Sequence, residues 1–333
     1  MRYLLILAFL AGCRASPPDG VPTLAMPDGD AGIGFDDMHF SKVHGLILVP
    51  SGRSGFLNLV DPSARRVQSI DGFSKEIFFF GGGYQGLTSA DDGPAGLIYA
   101  SDRTPEKLHV VDPAAGAIIA TRQVASGFDY VRFVAPMSEV WMTEPDDDRI
   151  EIFSVGPDPR IAPEHVAYLA TPGGPESLVV DATRGRAYTH LWNGATYSID
   201  IHSRAIVETW PNGCSGSRGI DLDEERGFLF VACSEGRAAV LDVTAGGRQV
   251  AAAQTGSGVD IVAYDPQRRR LYFPAATSAN LTILQVGSDG GLTTLGTLPG
   301  VGRGHCGAVV PGGPIVVCDP DNGQLLVEED PYP

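Results

Sequence analysis

The sequence predicts an all-β fold built from seven repeated units, and three observations support this prediction. The chain of 333 residues contains 42 glycines and 25 prolines and almost no segment of helical period, which is typical of many short strands joined by turns. Short apolar runs recur along the chain, and each is followed by a second such run. One position of the second run repeats every 42 to 51 residues. Seven units of this period, each with room for about four strands, predict a seven-bladed β-propeller.

The repeated units are visible as paired runs. The first runs are GLILVPS (45–51), GLIYASD (96–102), EVWMTEP (139–145), RAYTHLW (186–192), GFLFVACS (227–234), RLYFPAAT (270–277) and PIVVCDP (314–320). The repeating position of the second runs holds Asp61, Asp112, Ser154, Asp200, Asp242, Gln285 and Glu328. A helical solenoid has a similar period, but it needs amphipathic helices that this sequence does not show, so four-stranded blades are expected.

The N-terminal residues predict export. Residues 1–12 contain a short apolar run, too short to span a bilayer, which is typical of a signal peptide. The tetrapeptide LAGC (10–13) resembles a bacterial lipobox, and this resemblance implies that Cys13 is acylated and becomes the mature N-terminus. An ordinary signal peptide with a cysteine at the cleavage site is the alternative. Arg14, rather than Asp, follows Cys13, and the resemblance to Gram-negative sorting signals implies the outer membrane, so we expect a lipid anchor in the cell envelope.

The body of the chain is expected to close on itself. The last unit ends in QLLVEEDPYP after its third strand, and VPTLAM (21–26) precedes the first unit. If residues 21–26 supply the missing fourth strand, they pair the two chain ends and leave no open sheet edge. The rest of 13–34 is rich in Pro, Gly and Asp, which predicts a flexible tether behind the lipidated cysteine. The propeller is therefore expected over residues 35–333.

Two stretches resemble the repeats of a known family. SRGIDLDEERGFLFVACSEGRAAVLDV and GVDIVAYDPQRRRLYFPAATSANLTILQV each contain a Gly-led strand, an Asp-centred turn and two further strands. This pattern resembles the YVTN-type repeats of bacterial and archaeal surface or periplasmic propellers, over residues 36–328. The resemblance implies an exported seven-bladed propeller in the wider superfamily of the amine-dehydrogenase β-chains. No repeat contains the full Tyr-Val-Thr-Asn tetrad, so the resemblance concerns architecture and assigns no chemistry.

Four cysteines remain if Cys13 carries lipid, and they form two matched pairs. Cys214 lies just before the first strand of its unit and Cys233 ends the second strand, and Cys306 and Cys318 repeat this arrangement. An antiparallel hairpin brings both members of each pair to the same rim, and an exported chain folds in an oxidising compartment. The sequence therefore predicts the disulfides Cys214–Cys233 and Cys306–Cys318, with zinc or copper ligation and free thiols as alternatives.

The first strand of every unit begins near a polar residue that is expected to face the central channel. These residues, 42 to 48 positions apart, are Asp37, Gln85, Asp129, Glu176, Arg218, Asp260 and His305. The ends of the second strands are expected to add Asp102, Glu144, His190, Trp192 and Asp319 near the same rim. Such a ring can bind a protein, a glycan or a small molecule, and it can hold a divalent cation on Asp129, Glu176 and Asp260. The alternative is that polar side chains line a wet channel and bind nothing.

Composition limits the classes of function. The chain has 40 Asp and Glu against 24 Lys and Arg, a net charge of −16, which argues against binding to nucleic-acid phosphates or to anionic lipid by charge. No cofactor is predicted beyond a possible divalent cation. The favoured hypothesis is a non-enzymatic binding or scaffold module that uses its funnel face. A metal-assisted lactone or ester hydrolase, with His305 or His190 as base, is the alternative; a redox propeller with a partner's cofactor is a third.

Overall fold

A computed structural model describes residues 16–77 and 85–333, so the predicted signal peptide and Cys13 lie outside the described residues. The chain forms seven four-stranded antiparallel sheets that stand around a central channel as the blades of a propeller. The seven-bladed fold expected from the repeat is therefore confirmed. Among the described residues, no helix has the length and apolar character needed to cross a membrane.

Six blades consist of four consecutive strands, numbered from the channel outward. Blade I contains β2 (His39–Ser41), β3 (Leu46–Ser51), β4 (Phe56–Asp61) and β5 (Arg66–Ile70). Blade II contains β6 (Leu87–Asp92), β7 (Ile98–Asp102), β8 (Lys107–Asp112) and β9 (Ala117–Gln123). Blade III contains β10 (Val131–Val134), β11 (Glu139–Glu144), β12 (Arg149–Ser154) and β13 (Glu164–Ala170). Blade IV contains β14 (Val179–Asp181), β15 (Arg186–Leu191), β16 (Ala195–Asp200) and β17 (Ala205–Pro211).

The remaining strands follow the same order. Blade V contains β18 (Ser217–Asp223), β19 (Phe228–Cys233), β20 (Arg237–Asp242) and β21 (Arg248–Gln254). Blade VI contains β22 (Ala263–Asp265), β23 (Arg270–Ala275), β24 (Asn280–Val286) and β25 (Leu292–Pro299). The described helical segments are single 3-10 turns at Gly29–Ala31, Pro94–Gly96, Ala135–Met137, Pro145–Asp147 and Val243–Ala245.

Blade VII joins the two ends of the chain. It contains β26 (Gly307–Val309), β27 (Ile315–Asp319) and β28 (Gln324–Glu328), and its outer strand is β1 (Thr23–Ala25). β1 runs antiparallel to β28, with Leu24 opposite Leu325. The predicted closing strand is therefore confirmed. Because Met26 and Ile33 are also buried, much of the segment expected to be a tether packs against the disc instead.

The two middle strands of each blade are buried on both faces because neighbouring blades pack against each other. All six residues of β19 are buried, and in β4 only the two end residues are partly exposed. The outer strand β21 instead mixes exposed and partly buried positions. Continuous apolar runs in the sequence therefore mark the middle strands, which have no solvent face to require alternation.

The repeated aspartate of the sequence closes the turn between the third and fourth strands. The Oδ1 atoms of Asp61, Asp112, Asp200 and Asp242 accept hydrogen bonds of 2.9–3.1 Å from backbone N–H groups two or three residues further along the chain. An Asp side chain at this position stabilises a tight turn by replacing a backbone acceptor. The repeat in the sequence that predicts the fold therefore reflects a turn that recurs in each of these blades.

Both predicted cysteine pairs meet in the structure. Cys214 is bonded to Cys233 in blade V, with Cα atoms 5.4 Å apart, and Cys306 is bonded to Cys318 in blade VII, with Cα atoms 5.7 Å apart. Each bond joins the start of a first strand to the second strand beside it. The two bonds therefore hold the hairpin ends at the face where the first strands begin.

Gly29 offers a test of the closure because the N-terminal segment crosses the last hairpin there. A methyl group added at Gly29 would overlap the backbone carbonyl of Gly323, whereas one added at Gly302 meets nothing within 4 Å. We expect Gly29→Ala to lower the free energy of unfolding by about 1–3 kcal/mol, because overpacking against backbone has no easy relief. Gly302→Ala should change it by less than about 0.5 kcal/mol. Urea unfolding of both variants measures the difference, and equal stabilities would contradict the closure.

Candidate functional site

The first strands begin at a channel mouth that encloses a cavity of about 620 Å³, here called the funnel. Six of the nine predicted site residues line it, from blades III to VII: Asp129, Glu176, Trp192, Arg218, Asp260 and His305. Charged and aromatic residues that the sequence analysis missed complete the lining: Asp36, Arg103, Tyr130, Asp146 and Arg303. The alignment of strand starts therefore identified four of the eight Asp, Glu and Arg residues that line this cavity.

On blade I the funnel position belongs to Asp36, and the predicted Asp37 is wrong by one residue. Neighbouring residues of an extended chain point to opposite sides, so Asp37 lies in a second cavity, of about 320 Å³, beyond the funnel. There it accepts hydrogen bonds of 2.6 and 2.9 Å from Arg132 and one of 2.5 Å from Ser89. Burial raises the pKa of Asp37, but the Arg132 guanidinium outweighs burial and holds that pKa below its usual value.

Two other predicted residues do not line the funnel within the described chain. His190 is fully buried in blade IV, where Nδ1 lies 2.8 Å from the Thr196 hydroxyl, and burial lowers its pKa to about 4. Gln85 directly follows the undescribed segment 78–84, and blade II contributes Arg103 to the funnel instead. The predicted rim residues at the ends of second strands are buried as well: Asp102, Glu144 and Asp319. Each of the three accepts hydrogen bonds from neighbouring residues.

Two funnel carboxylates are paired with arginines of neighbouring blades. Arg103 donates a hydrogen bond of 3.0 Å to Asp129. Arg218 donates to Glu176, which also accepts from the indole Nε1 of Trp192. The Trp192 ring remains 40% exposed at the rim, and the Arg218 guanidinium carbon lies 6.0 Å from its centroid. These contacts fix one aromatic face at the edge of the cavity.

Asp36 and Asp260 lack such partners. Within residues 16–77 and 85–333, neither carboxylate takes part in a hydrogen bond or an ion pair, although Asp36 is only 8% exposed. Burial, followed by the charges of Asp129 and Asp260, raises the pKa of Asp36 well above its usual range, and the charge of Arg103 opposes this only in part. Burial and the charge of Glu176 raise the pKa of Asp129 to about 8, despite the nearby Arg103. The funnel therefore contains more acidic groups than its arginines can neutralise, and Asp36 and Asp129 respond by retaining protons at neutral pH.

The surroundings of the His305 ring do not suit the role of a general base. Its Nδ1 lies 2.7 Å from the carbonyl oxygen of Arg303, and its Nε2 lies 3.0 Å from that of Phe35. Carbonyl oxygens only accept hydrogen bonds, so both ring nitrogens face acceptors and neither offers a lone pair to the cavity. His305 instead connects blade VII to the segment that precedes blade I.

The predicted cation ligands are held apart. Two groups of His, Cys and acidic residues in the described chain bring three ligand atoms within 4.8 Å of one another, namely His305 with Cys306 and Cys318, and Cys214 with Cys233 and Glu235. The predicted set of Asp129, Glu176 and Asp260 is not among these groups, and arginines engage two of its members. The described arrangement therefore does not bring the three predicted ligands together around one metal ion.

Comparisons with known proteins identify the fold. No protein-family model and no curated protein matches the sequence. Hydrazine synthase of Kuenenia stuttgartiensis is similar with a TM-score of 0.71 and 14% identity, over 91% of this chain and 96% of that one. A chain of the mitotic checkpoint complex is similar with a TM-score of 0.71 and 14% identity, over 98% of both chains. The Cps50 (Swd1) β-propeller domain of Myceliophteria thermophila is similar with a TM-score of 0.70 and 12% identity, over 92% of this chain and 98% of that one. At these identities the similarities establish the propeller fold alone.

The raised pKa of Asp129 predicts a pH-dependent stability. An Asp carboxyl has a pKa of about 3.9 in an unfolded chain, whereas Asp129 reaches about 8 in the funnel. Its contribution to stability is therefore fully present below about pH 4 and is lost as the pH rises through about 8. We expect Asp129→Asn to flatten this decline and Glu225→Gln, an exposed control, to preserve it. Urea unfolding at a series of pH values measures the effect; parallel pH profiles of wild type and Asp129→Asn would refute it.

Proposed function

We propose that this chain is an exported, lipid-anchored propeller that binds a protein partner through its funnel face and acts as a non-enzymatic binding module. One observation carries this proposal: Asp36 is a buried carboxylate without a partner, in a concave mouth beside the exposed ring of Trp192. A buried charge costs free energy unless an opposite charge compensates it, so a ligand that supplies one gains affinity. A partly exposed indole at the rim of a cavity is a typical anchor for such a ligand.

Further observations are consistent with this proposal. One of the similar structures is a chain of a protein complex, and a rigid propeller disc suits that role. The LAGC motif at 10–13 supports the anchor, and the disulfides Cys214–Cys233 and Cys306–Cys318 suit an oxidising compartment outside the cytosol. Membership of the YVTN-type family, an outer-membrane location, and glycan or small-molecule ligands remain predictions from the sequence.

Photocrosslinking from the funnel rim tests the proposed binding face. A photoreactive phenylalanine analogue placed at Trp192 in the full chain should form a discrete crosslinked species with a protein in native cells. The double variant Asp129→Asn, Asp260→Asn should lose this product, because an amide cannot ionise to pair with a positively charged group of the partner. Mass spectrometry of the product identifies both partners and the crosslinked residues.

The matched control places the same analogue at Val207, which is 45% exposed on the outer strand of blade IV, away from the funnel. Identical products from both positions, or none from Trp192, would refute the proposal. The same double variant tests the hydrolase alternative. Saturable stabilisation by calcium, magnesium, manganese or zinc that disappears in the variant would favour a metal site and justify esterase and lactonase assays.

A further inference from the structure

We propose that the funnel recognises the ammonium group of a lysine side chain on its protein partner, held between Asp36, Asp129 and Asp260. This inference rests on the proposed function and names the chemistry by which the funnel selects its partner. Asp36 provides the starting point, because it is more than nine-tenths buried, lines the cavity and has no hydrogen bond or ion pair in the described chain. Such a group gains free energy when a donor reaches it.

The carboxyl groups of Asp36, Asp129 and Asp260 line the same cavity, and the arginines of the funnel do not provide a positive partner for each of them. The charge of Asp260 raises the pKa of both Asp36 and Asp129, and the charge of Asp129 raises that of Asp36, so all three groups interact. Arg103, 3.0 Å from Asp129, supplies a counter-charge. The other two arginines of the funnel lie in ion pairs with other carboxylates. An incoming cation would restore the balance.

An ammonium group suits this arrangement better than a guanidinium group or a metal ion. Its three N–H donors point in different directions and can reach carboxylates on different sides, whereas guanidinium presents a planar fork that pairs best with a single carboxylate. Hard divalent cations bind oxygen atoms at about 2.0–2.6 Å. The three carboxylates do not form a group of oxygens within 4.8 Å of one another in the part of the chain that the structure describes.

The walls of the funnel accommodate the rest of a lysine side chain. Trp192, Val259 and Ala276 line the cavity, whose volume of about 620 Å³ far exceeds the space of one ion. Lysine buries its aliphatic stem along apolar surface, and an ammonium group is attracted to the face of an indole ring. Asp146 and Arg303 are exposed at the rim, where the backbone of a partner can make contacts in addition to those of its ammonium group.

Binding should depend on pH in a characteristic way. Asp129 retains a proton at neutral pH, so an ammonium group displaces protons from the carboxylates when it binds. Affinity should therefore increase from about pH 6 to about pH 8.5, a range in which lysine stays charged because its own pKa is about 10.4. An ion pair on the open surface would show no such increase, since its carboxylate is already ionised at pH 6.

Calorimetric titration of the full chain, purified in detergent, tests the inference. The probes are acetyl-Gly-Gly-Lys-Gly-Gly-amide and the same peptide with norleucine in place of lysine. We expect saturable binding of the lysine peptide at pH 8.5, at least tenfold tighter than that of the norleucine peptide. Asp36→Asn and Asp260→Asn should each weaken it at least tenfold. Both variants should fold, because each removes a charge that has no partner within the described chain.

Glu225→Gln is the matched control because Glu225 is an exposed carboxylate in the turn between β18 and β19, on the opposite face. It should bind the lysine peptide as the wild-type chain does. Equal affinity for the lysine and norleucine peptides, or equal losses in Asp36→Asn and Glu225→Gln, would overturn the inference. Binding of n-butylammonium as tight as that of the peptide would overturn the assignment to a protein side chain. Displacement of the peptide by stoichiometric calcium would overturn it in favour of a metal.

The two proposals can fail separately. If Trp192 crosslinks to a protein but the chain does not prefer the lysine peptide, the funnel binds a protein and the ammonium group does not determine this binding. Selective peptide binding without a crosslinked protein would leave an ammonium site whose ligand is not a protein, and the proposed function would fall.

Discussion

The pairing of β1 with β28 is the contact on which the rest of the disc depends. Each blade buries its middle strands against two neighbours, so an open row of blades would expose an apolar face at either end. The antiparallel pairing of Leu24 with Leu325 removes both faces by joining the chain ends. His305 adds a second link across the same junction through its hydrogen bond to the Phe35 carbonyl. Closure also forces seven strand starts into one mouth, and this convergence creates the funnel.

Buried carboxyl groups around the channel differ in pKa according to their partners. Beyond the funnel, Asp37 has a bidentate partner in Arg132, and its pKa is lowered although it is buried. One residue earlier, Asp36 faces a space shared with other carboxylates, and its pKa is raised. Adjacent residues of the same type thus differ because Arg132 forms two hydrogen bonds with Asp37, whereas the charge of Arg103 lowers the pKa of Asp36 too little to outweigh burial. Asp221, which lines the same cavity as Asp37, has its pKa raised to about 6 by burial, so the partner of each carboxyl group and not its side of the channel decides the direction of the shift.

The fold was predictable because turns repeat in the sequence, and the closing strand because the last unit lacked a fourth run. The position of the site was predictable, but individual residues were predicted with an error of one position. Asp36 and Asp37 are chemically identical, and a slip of one position moves a side chain to the other side of a strand, which also explains why Arg103 was missed beside Asp102. The burial of His190 depends on a neighbouring blade. The pairing of Glu176 with Arg218 joins residues 42 positions apart, and no local pattern signals it.

Carboxyl titration by NMR tests the central claim that the funnel holds carboxyl groups whose ionised form the protein does not fully compensate. The full chain would be labelled with carbon-13 at the aspartate side-chain carboxyls, and Asp36→Asn and Asp129→Asn would assign the two signals. The account predicts that both groups remain protonated well above the usual range for aspartate, with Asp129 titrating near pH 8. If every aspartate in the chain titrates below about pH 5, the protein already compensates the ionised carboxyl groups of the funnel, and the account of its function is wrong.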